Sequence, residues 1–203
     1  MDKFQLLITC PKGLEETLKR EIIALDVYVE KLTVGGVFVE TDLSGIYSCL
    51  MHLRVANRIL LKFYKDRMNE AADLTTQASQ FQWANHFSVD NTIAIHFKGQ
   101  DSQIRNTMYG AQAIKDGIND YFRSVSDRRI TVAKKDPDIL IHAYLKNGWI
   151  NVYIDLWGKS LHQRGYRAAQ GDAPLKENLA SGLLNLADWS KFAEHNQALI
   201  DPF

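Results

Sequence analysis

The spacing of hydrophobic residues changes from strand-like to helical within the first 41 residues. Phe4–Thr9 is apolar and β-rich, and after it leucine and isoleucine recur at helical spacing at Leu14, Leu18, Ile22 and Leu25. Val27–Val34 and Val37–Thr41 are again β-rich, and they flank Gly35-Gly36. Glycine pairs between such stretches favour a tight turn. The pattern therefore predicts a strand, a helix and a hairpin.

A second helix and a fourth strand complete this pattern. Asp42 or Ser44 can cap a helix that runs through Leu53, because short polar side chains accept hydrogen bonds from free N–H groups. Ile59–Tyr64 then reads as a strand. The order βαββαβ is that of the ferredoxin-like arrangement. We expect residues 1–66 to form such a domain.

Residues 67–158 predict a second, α/β domain. A helix is expected over Ala71–Phe81, a strand over Thr92–Lys98, and the clearest helix of the chain over Thr107–Phe122. Two strands, Ile139–Leu145 and Trp149–Trp157, are separated by Lys146-Asn147-Gly148, which is typical of a hairpin turn. Both strands are apolar at most positions, so we expect them at the centre of a sheet that is covered on both sides.

Residues 159–203 predict a linker, a helix and a last strand. Asp172 can cap the helix with Pro174 in its first turn. One face of this helix is lined by Leu175, Leu179, Leu183 and Leu186. Ala198–Ile200 reads as a strand before Asp201-Pro202-Phe203, so we expect the front part of a longer protein. The predicted fold class is α+β, ending in a helical lead-in and first strand of another domain.

Composition is that of a globular protein with locally separated charge. Hydrophobic residues make up 46% and charged residues 24%, and no apolar run reaches membrane-spanning length. No signal peptide is recognisable, and Cys10 and Cys49 lack metal spacing, so we expect a cytoplasmic protein with free thiols, no metal and no membrane contact. Net charge is zero, yet residues 123–135 carry +4 and residues 159–177 carry +2. Such segments can present a basic surface, although many are only solvated.

Catalytic motifs are not recognisable in the sequence. Histidines do not pair at metal-binding spacing, and Gly158-Lys159-Ser160 lacks the glycine that a phosphate-binding loop needs, because Tyr153 stands there. We find no nucleophile with a base beside it. This segment alone is therefore predicted to be inactive.

Two polar stretches suit contact with nucleic acid. Thr107 can cap the strongest helix, which leaves Arg105, Asn106 and Tyr109 at its positive end, where a phosphate and an unstacked base could bind. Simple capping with a packed Tyr109 explains these residues equally well. The second stretch is Leu161–Arg167, in which Arg164, Tyr166 and Arg167 could bind RNA. These arginines could equally dock the linker onto acidic surface or onto the missing domain, because arginine does both.

Several segments resemble the THUMP RNA-binding domain of bacterial large-subunit ribosomal RNA guanine-N2 methyltransferases. The resemblance runs in order through Asp101–Ala111, Lys115–Phe122, Asp136–Ile139, Leu161–Arg167 and Ala173–Ala180. It implies a ferredoxin-like domain over residues 1–66, a THUMP domain over residues 67–158 and, over residues 159–203, the start of a methyltransferase domain. It also implies Lys115 as a further phosphate contact.

The resemblance implies S-adenosylmethionine as cofactor of the whole protein, held by a glycine loop beyond Asp201-Pro202-Phe203. No cofactor is expected in this segment, whose implied partners are ribosomal RNA and its own methyltransferase domain. The parent protein would be an enzyme that methylates the N2 amine of a guanine in 23S rRNA. Two alternatives stay open: the THUMP module of a transfer RNA-modifying enzyme, and a ferredoxin-like interaction module without enzymatic activity.

Overall fold

The structure, a computed structural model, describes residues 3–165, 174–195 and 197–200. Its elements, in chain order, are β1 (Phe4–Thr9), α1 (Glu15–Ile23), β2 (Tyr28–Thr33), β3 (Gly36–Thr41), α2 (Leu43–His52), β4 (Arg58–Arg67), α3 (Asp73–Gln80), a 3-10 turn (Trp83–Asn85), β5 (Thr92–Lys98), α4 (Thr107–Ser126), β6 (Thr131–Val132), β7 (Ile139–Lys146), β8 (Trp149–Asp155), α5 (Glu177–Leu186) and α6 (Trp189–Glu194). They form two compact units, residues 1–59 with 159–203 and residues 60–158. We describe each unit by itself.

The first unit contains the predicted succession of strands and helices up to α2, and most of the fourth predicted strand, β4, belongs to the second unit. Its strands lie in the order β2-β3-β1, and both pairs are antiparallel. Asp42 is the cap of α2, because its Oδ1 accepts a hydrogen bond from the Gly45 N–H at 2.9 Å. Apolar side chains of β1 and α1, including Leu6, Ile8, Leu18 and Ile22, are almost fully buried. The helical spacing of the leucines and isoleucines thus indicates the core face correctly.

The second unit is a five-stranded sheet with helices packed on it. The strand order is β4-β8-β7-β5-β6, with β5 parallel to β6 and β7, and β8 antiparallel to β4 and β7. Asn147 and Gly148 both have positive φ, 52° and 72°, as a two-residue hairpin turn requires. The central position of β7 and β8 is confirmed. Cover on the second side is partial: Leu140, His142 and Tyr153 are buried there, whereas Trp149 is exposed and Tyr144 half-buried.

The cap of α4 differs from the predicted one. Asn106, not Thr107, is the cap residue, and its Oδ1 accepts a hydrogen bond from the Met108 N–H at 2.8 Å. The helix also continues to Ser126, beyond Phe122. Asparagine is among the strongest capping residues, and its extended backbone geometry (φ −122°, ψ 119°) places the side-chain oxygen over the first turn.

The segment after residue 173 departs most from prediction. The helix begins at Glu177 after a Lys176 cap that makes no side-chain hydrogen bond, and Pro174 lies before it; Asp172 is outside the described residues. Leu183 and Leu186 of the leucine-lined face are exposed. Residues 197–200 have no strand assignment, and Ile200 is 83% exposed, so the predicted strand Ala198–Ile200 is wrong. Helix α6 was not predicted.

Helix α5 packs through a small polar face instead of its leucines. The buried Asn178 donates from Nδ2 to Asn57 Oδ1 at 2.6 Å and to the Val55 carbonyl at 3.4 Å. Gly182 is buried against Leu14, and a Cβ there would lie 2.3 Å from the Leu14 Cδ1. A specific amide bond and a missing side chain therefore decide which face is buried, and hydrophobic spacing reports neither.

Glu15 connects the start of α1 to the β2–β3 turn and makes the first unit sensitive to acid. Its carboxylate accepts hydrogen bonds from the N–H groups of Gly35 at 2.7 Å and Gly13 at 2.8 Å. The bond from Gly35 is the main reason why the pKa of Glu15 lies below its ordinary value of 4.5. A lowered pKa gives stability that is present above pH 4.5 and is lost as the pH falls through the folded-state pKa.

We therefore expect Glu15→Gln to reduce the loss of stability on acidification below about pH 5. Urea unfolding at pH 7 and pH 4, followed by amide exchange in the β2–β3 hairpin, measures the difference. Glu16→Gln is the matched control, since Glu16 makes only a surface ion pair with Lys19 at 3.6 Å. An identical pH dependence in Glu15→Gln and the parent chain would contradict this role of Glu15.

Candidate RNA-binding surface

The loop between β5 and α4 is firmly anchored in the second unit. Gly99 has a φ of +103°, and a Cβ there would lie 2.0 Å from the Leu145 carbonyl oxygen, so only glycine fits. Asp101 Oδ1 accepts hydrogen bonds from the N–H groups of Gln103 and Ile104, each at 2.8 Å. The Ile104 side chain is fully buried in the core. Gly99 at the start of the loop and Ile104 near its end therefore fix the backbone that leads to Arg105.

Arg105, Asn106 and Tyr109 come together at the end of this anchored loop. Arg105 and Asn106 are exposed, and Tyr109 is 49% exposed in the first turn of α4. Asn106 uses its Oδ1 for the cap, which leaves its Nδ2 amide able to donate to a ligand. An arginine, an amide donor and an exposed ring at a helix start can hold a phosphate and stack on a base. The exposure of Tyr109 does not agree with the packed-ring alternative.

The structure separates Lys115 from this group. Lys115 is six positions after Tyr109 in the helix, which places them about 9 Å apart along the axis and about 120° apart around it. The Lys115 Nζ lies 2.7 Å from Asp116 Oδ1, and its side chain is mostly buried. Any ligand that contacts Arg105 must therefore extend around the helix to reach Lys115.

The Arg164 side chain forms its hydrogen bonds within the first unit. Its guanidinium donates hydrogen bonds to backbone carbonyls at the end of α2: Leu50 at 3.0 Å, Met51 at 3.3 Å and Leu53 at 3.0 Å. Its Nε also donates to the Leu161 carbonyl at 3.1 Å. Arg164 is thus docked onto backbone carbonyls, a contact that neither of the two docking partners expected from the sequence, acidic surface or a missing domain, describes. Tyr166 and Arg167 lie outside the described residues.

Part of the basic run 123–135 forms ion pairs with exposed acidic residues. Arg128 pairs with Asp90, and Arg123 lies 4.0 Å from Asp120 one helical turn away. Surface ion pairs of this kind contribute little to the free energy of folding. They also reduce the positive electrostatic potential around residues 123–135. The basic run therefore contributes less to a nucleic-acid surface than its sequence charge indicates.

Reactive side chains in the described residues are engaged in structural contacts. Burial raises the pKa of Cys10 to about 12 and that of Cys49 to about 11, so both thiols stay protonated at neutral pH. The sequence predicts no nucleophile beside a base, yet Ser160 Oγ lies 2.7 Å from His162 Nδ1. That serine also donates to the Asn57 carbonyl at 3.4 Å, which fixes the turn.

Neither a cluster of metal-binding side chains nor a membrane-spanning helix is found among the described residues. No group of three or more histidine, cysteine or acidic side chains that could hold a metal ion occurs among the described residues. No helix within residues 3–165 and 174–200, as far as they are described, is long and apolar enough to cross a membrane.

Sequence reasoning missed the residues that support the site. Gly99, Asp101 and Ile104 hold the loop, but only Arg105, Asn106 and Tyr109 were proposed as ligand contacts. A usable signal exists: a glycine directly after a strand, followed by aspartate and, three residues later, an isolated isoleucine, is typical of a closed turn with an apolar anchor.

Comparison with protein families finds three matching domains. Residues 69–155 match the THUMP domain. Residues 5–60 match the RlmL ferredoxin-like domain, and residues 164–203 match the RMKL-like methyltransferase domain. Along the chain the three matches follow one another in the order RlmL ferredoxin-like, THUMP and RMKL-like methyltransferase. The predicted α+β fold with an N-terminal ferredoxin-like domain is confirmed.

Curated relatives share nearly the whole chain but are much longer. Ribosomal RNA large subunit methyltransferase K/L of Legionella pneumophila is 44% identical over 200 residues, which are 98% of this chain and 28% of that protein. The protein of the same name from Cellvibrio japonicus is 41% identical over 198 residues, covering 98% of this chain and 26% of its own length. The chain therefore spans about a quarter of the length of these relatives.

Solved structures show the same fold. A predicted N6-adenine-specific DNA methylase from Listeria monocytogenes superposes with a TM-score of 0.80 at 26% identity, over 93% of this chain and 50% of that one. A methyltransferase structure solved as a complex with SAH gives a TM-score of 0.79 at 22% identity, over 93% of this chain and 50% of that one. The second likeness is one of fold alone.

Proposed function

We propose that this chain is the RNA-holding part of an S-adenosylmethionine-dependent methyltransferase that modifies the N2 amine of a guanine in 23S rRNA. The observation that carries the proposal is the exposed group Arg105, Asn106 and Tyr109 on an anchored loop of a THUMP domain. The name of the relatives, ribosomal RNA large subunit methyltransferase, supports ribosomal RNA as the target. A base inside a helix must leave the stack before it can react, so the flanking backbone needs a separate grip.

The proposed RNA contacts are of three kinds. Arg105, Asn106 and Tyr109 form the central group, and Lys115 contacts a phosphate further around α4. Tyr166 and Arg167, which lie outside the described residues, are proposed as further RNA contacts. Arg164 holds its own part of the chain through hydrogen bonds to the end of α2. The contacts to phosphate set orientation and carry no sequence information of their own.

Methyl transfer belongs to the whole protein under this proposal. The match of residues 164–203 to a methyltransferase domain supports S-adenosylmethionine as its cofactor and the remainder of that domain as a partner of this chain. Within the described residues no catalytic arrangement is present, so we propose that this segment alone is inactive. A cytoplasmic location follows from ribosomal RNA as the substrate.

We expect the 203-residue chain to bind a 23S rRNA hairpin with an affinity that falls as salt rises. Binding that neutralises phosphates releases counterions, so the logarithm of affinity decreases linearly with the logarithm of salt concentration. Arg105→Ala should weaken binding about tenfold and make that slope shallower by about 0.9 for paired RNA. Fluorescence anisotropy of a labelled hairpin at several salt concentrations measures both quantities.

The control and the competing ligands decide between the alternatives. Arg20→Ala removes an exposed arginine from α1 and should leave affinity unchanged. A preference for transfer RNA over the rRNA hairpin would favour the transfer RNA-modifying alternative, and equal binding of duplex DNA would remove RNA specificity. Binding that is independent of salt and of Arg105 would contradict the proposed function.

A further inference from the structure

One face of the second unit's sheet is turned away from helices α3 and α4. Alternate strand residues pack with those helices in the core, among them Ile141, Ala143, Ile150 and Val152. Successive side chains of a strand point to opposite faces, so the residues between them lie on the other face. We call this the open face. The β4–β8–β7–β5 register shows which side chains share it.

The open face has a strong excess of positive charge. Strand pairing places Lys62 opposite Tyr153, Lys65 opposite Asn151 and Arg67 opposite Trp149. It places Lys98 beside Tyr144 and Lys146 opposite Trp149. Along the described strands β4, β5, β7 and β8, the one acidic side chain on this face is Asp155. It is buried, and its Oδ1 accepts from the N–H groups of Trp157 and Gly158.

Aromatic rings alternate with these cations. Trp149 is 40% exposed, and the Lys65 Nζ lies 4.5 Å from the centroid of its ring. The half-buried Tyr144 is paired with Asn151, diagonal to Trp149, and its ring lies 5.8 Å from that of Tyr153. The His142 ring lies 6.2 Å from that of Tyr144 and 5.2 Å from that of His96. Aromatic rings therefore cross three strands, and because His142 and Tyr153 are buried, Trp149 and Tyr144 are the larger rings that a base can reach.

The geometry points to single-stranded RNA as the occupant, and we propose that the open face stacks unpaired bases on Trp149 and Tyr144. The surrounding lysines and arginine then contact the phosphates. Four-stranded sheets with aromatic side chains recognise unpaired RNA in this manner, because every base has a π-face and the backbone is a polyanion. A protein partner would need an acidic surface to match five cations, whereas any RNA strand supplies that charge.

The open face is continuous with the α4 end of the unit. Lys98 is the last residue of β5, and the next residue, Gly99, lies against the end of β7 at Leu145. The anchored loop that carries Arg105 therefore begins beside Lys98 and Lys146. This inference rests on the proposed function only in taking RNA as the ligand. It adds a second surface, specific for unpaired nucleotides.

The test uses the 203-residue chain and two labelled RNAs, an unstructured strand of about 12 nucleotides and a fully paired duplex. Trp149→Ala should weaken binding of the unpaired strand about tenfold and leave the duplex within about twofold, since paired bases cannot stack on the ring. Trp149→Phe retains a stacking ring and should keep most of the affinity. Lys65→Ala should reduce the salt slope for the unpaired strand by about 0.7.

The matched control is Lys31→Ala. Lys31 also lies above a ring, with Nζ 5.0 Å from the Phe38 centroid, but in the first unit. It should leave single-strand affinity unchanged. Circular dichroism of Trp149→Ala verifies the fold, and Lys65→Ala provides a second, exposed variant if that mutant unfolds.

Several results would overturn the inference. One is unchanged affinity of the unpaired strand in Trp149→Ala, and another is an equal loss for strand and duplex. A change of sedimentation in Trp149→Ala without any single-strand binding would assign the face to protein contact instead. Arg105→Ala separates the two proposals. Loss of hairpin binding in Arg105→Ala, with no effect of Trp149→Ala, keeps the proposed function and removes this inference. The reverse result keeps the open face and contradicts the Arg105 site.

Discussion

Replacing Trp83 with alanine should lower the free energy of unfolding of the second unit by about 3–5 kcal/mol. Trp83 is fully buried, and its ring lies 4.7 Å from Phe81, 5.6 Å from Phe63 and 5.7 Å from Phe87, measured between centroids. Its indole N–H donates to the Ala78 carbonyl near the end of α3 at 2.6 Å. Alanine leaves a large cavity at the centre of these rings and a carbonyl without its donor.

Urea unfolding with amide exchange in β7 and β8 measures the change in the second unit. Trp83→Phe keeps most of the ring volume and loses the hydrogen bond, so we expect a smaller loss of about 1–2 kcal/mol. Trp157→Ala removes an exposed tryptophan and should change stability by less than about 0.5 kcal/mol. A loss below 1 kcal/mol in Trp83→Ala would show that the ring cluster does not hold the unit together.

The largest side chain in this core lies where the sequence predicts no element. Helical spacing ends near Phe81 and the next strand pattern begins at Thr92, so Trp83 falls between two predictions. The structure places it in a 3-10 turn, Trp83–Asn85. A single turn has no period to detect, and its burial depends on rings that come from β4 and from the chain after α3. Local patterns cannot report such contacts.

In the sheet of the second unit, too, local patterns predict the strands, whereas the burial of their side chains depends on tertiary contacts. Two apolar runs on either side of a turn predict that β7 and β8 are strands, and the Asn147-Gly148 turn pairs them in the predicted hairpin. Counting apolar residues then predicts cover on both sides, because tyrosine and tryptophan count as apolar. Tyrosine and tryptophan have a polar end and tolerate partial exposure. Trp149 and Tyr144 thus lie on a half-open face that the count could not distinguish from core.

The candidate site was predictable to the extent that it is contiguous in sequence. Arg105, Asn106 and Tyr109 lie within five residues, and the helix that follows them is strongly periodic. The partners of Arg164, in contrast, lie more than 100 residues away, at Leu50, Met51 and Leu53. The spacing of residues in the sequence does not show that Arg164 contacts the end of α2. Two roles for Arg164 are therefore compatible with the sequence.

Replacing Arg164 with alanine should destabilise the first unit by about 3 kcal/mol. The guanidinium gives donors to carbonyls at the C-terminal end of α2, which have no partner inside the helix. Its positive charge also lies at the negative end of the helix dipole. In favourable cases a hydrogen bond from a charged donor contributes about 1.5–3 kcal/mol. The hydrogen bonds of Arg164 are half-buried and all come from a single guanidinium group. Alanine removes all of them together.

Arg164→Lys is the decisive companion variant. Lysine keeps the charge but lacks the planar fork that reaches several carbonyls, so we expect it to restore less than half of the lost stability. Amide exchange at the end of α2, compared with exchange in β7, measures the loss in the first unit and shows whether the second is unaffected. If Arg164 instead contacts RNA, the free energy of unfolding stays unchanged in both variants and the affinity for the rRNA hairpin falls in Arg164→Ala. Arg164→Lys then recovers most of that affinity, because a phosphate needs the positive charge more than the planar fork.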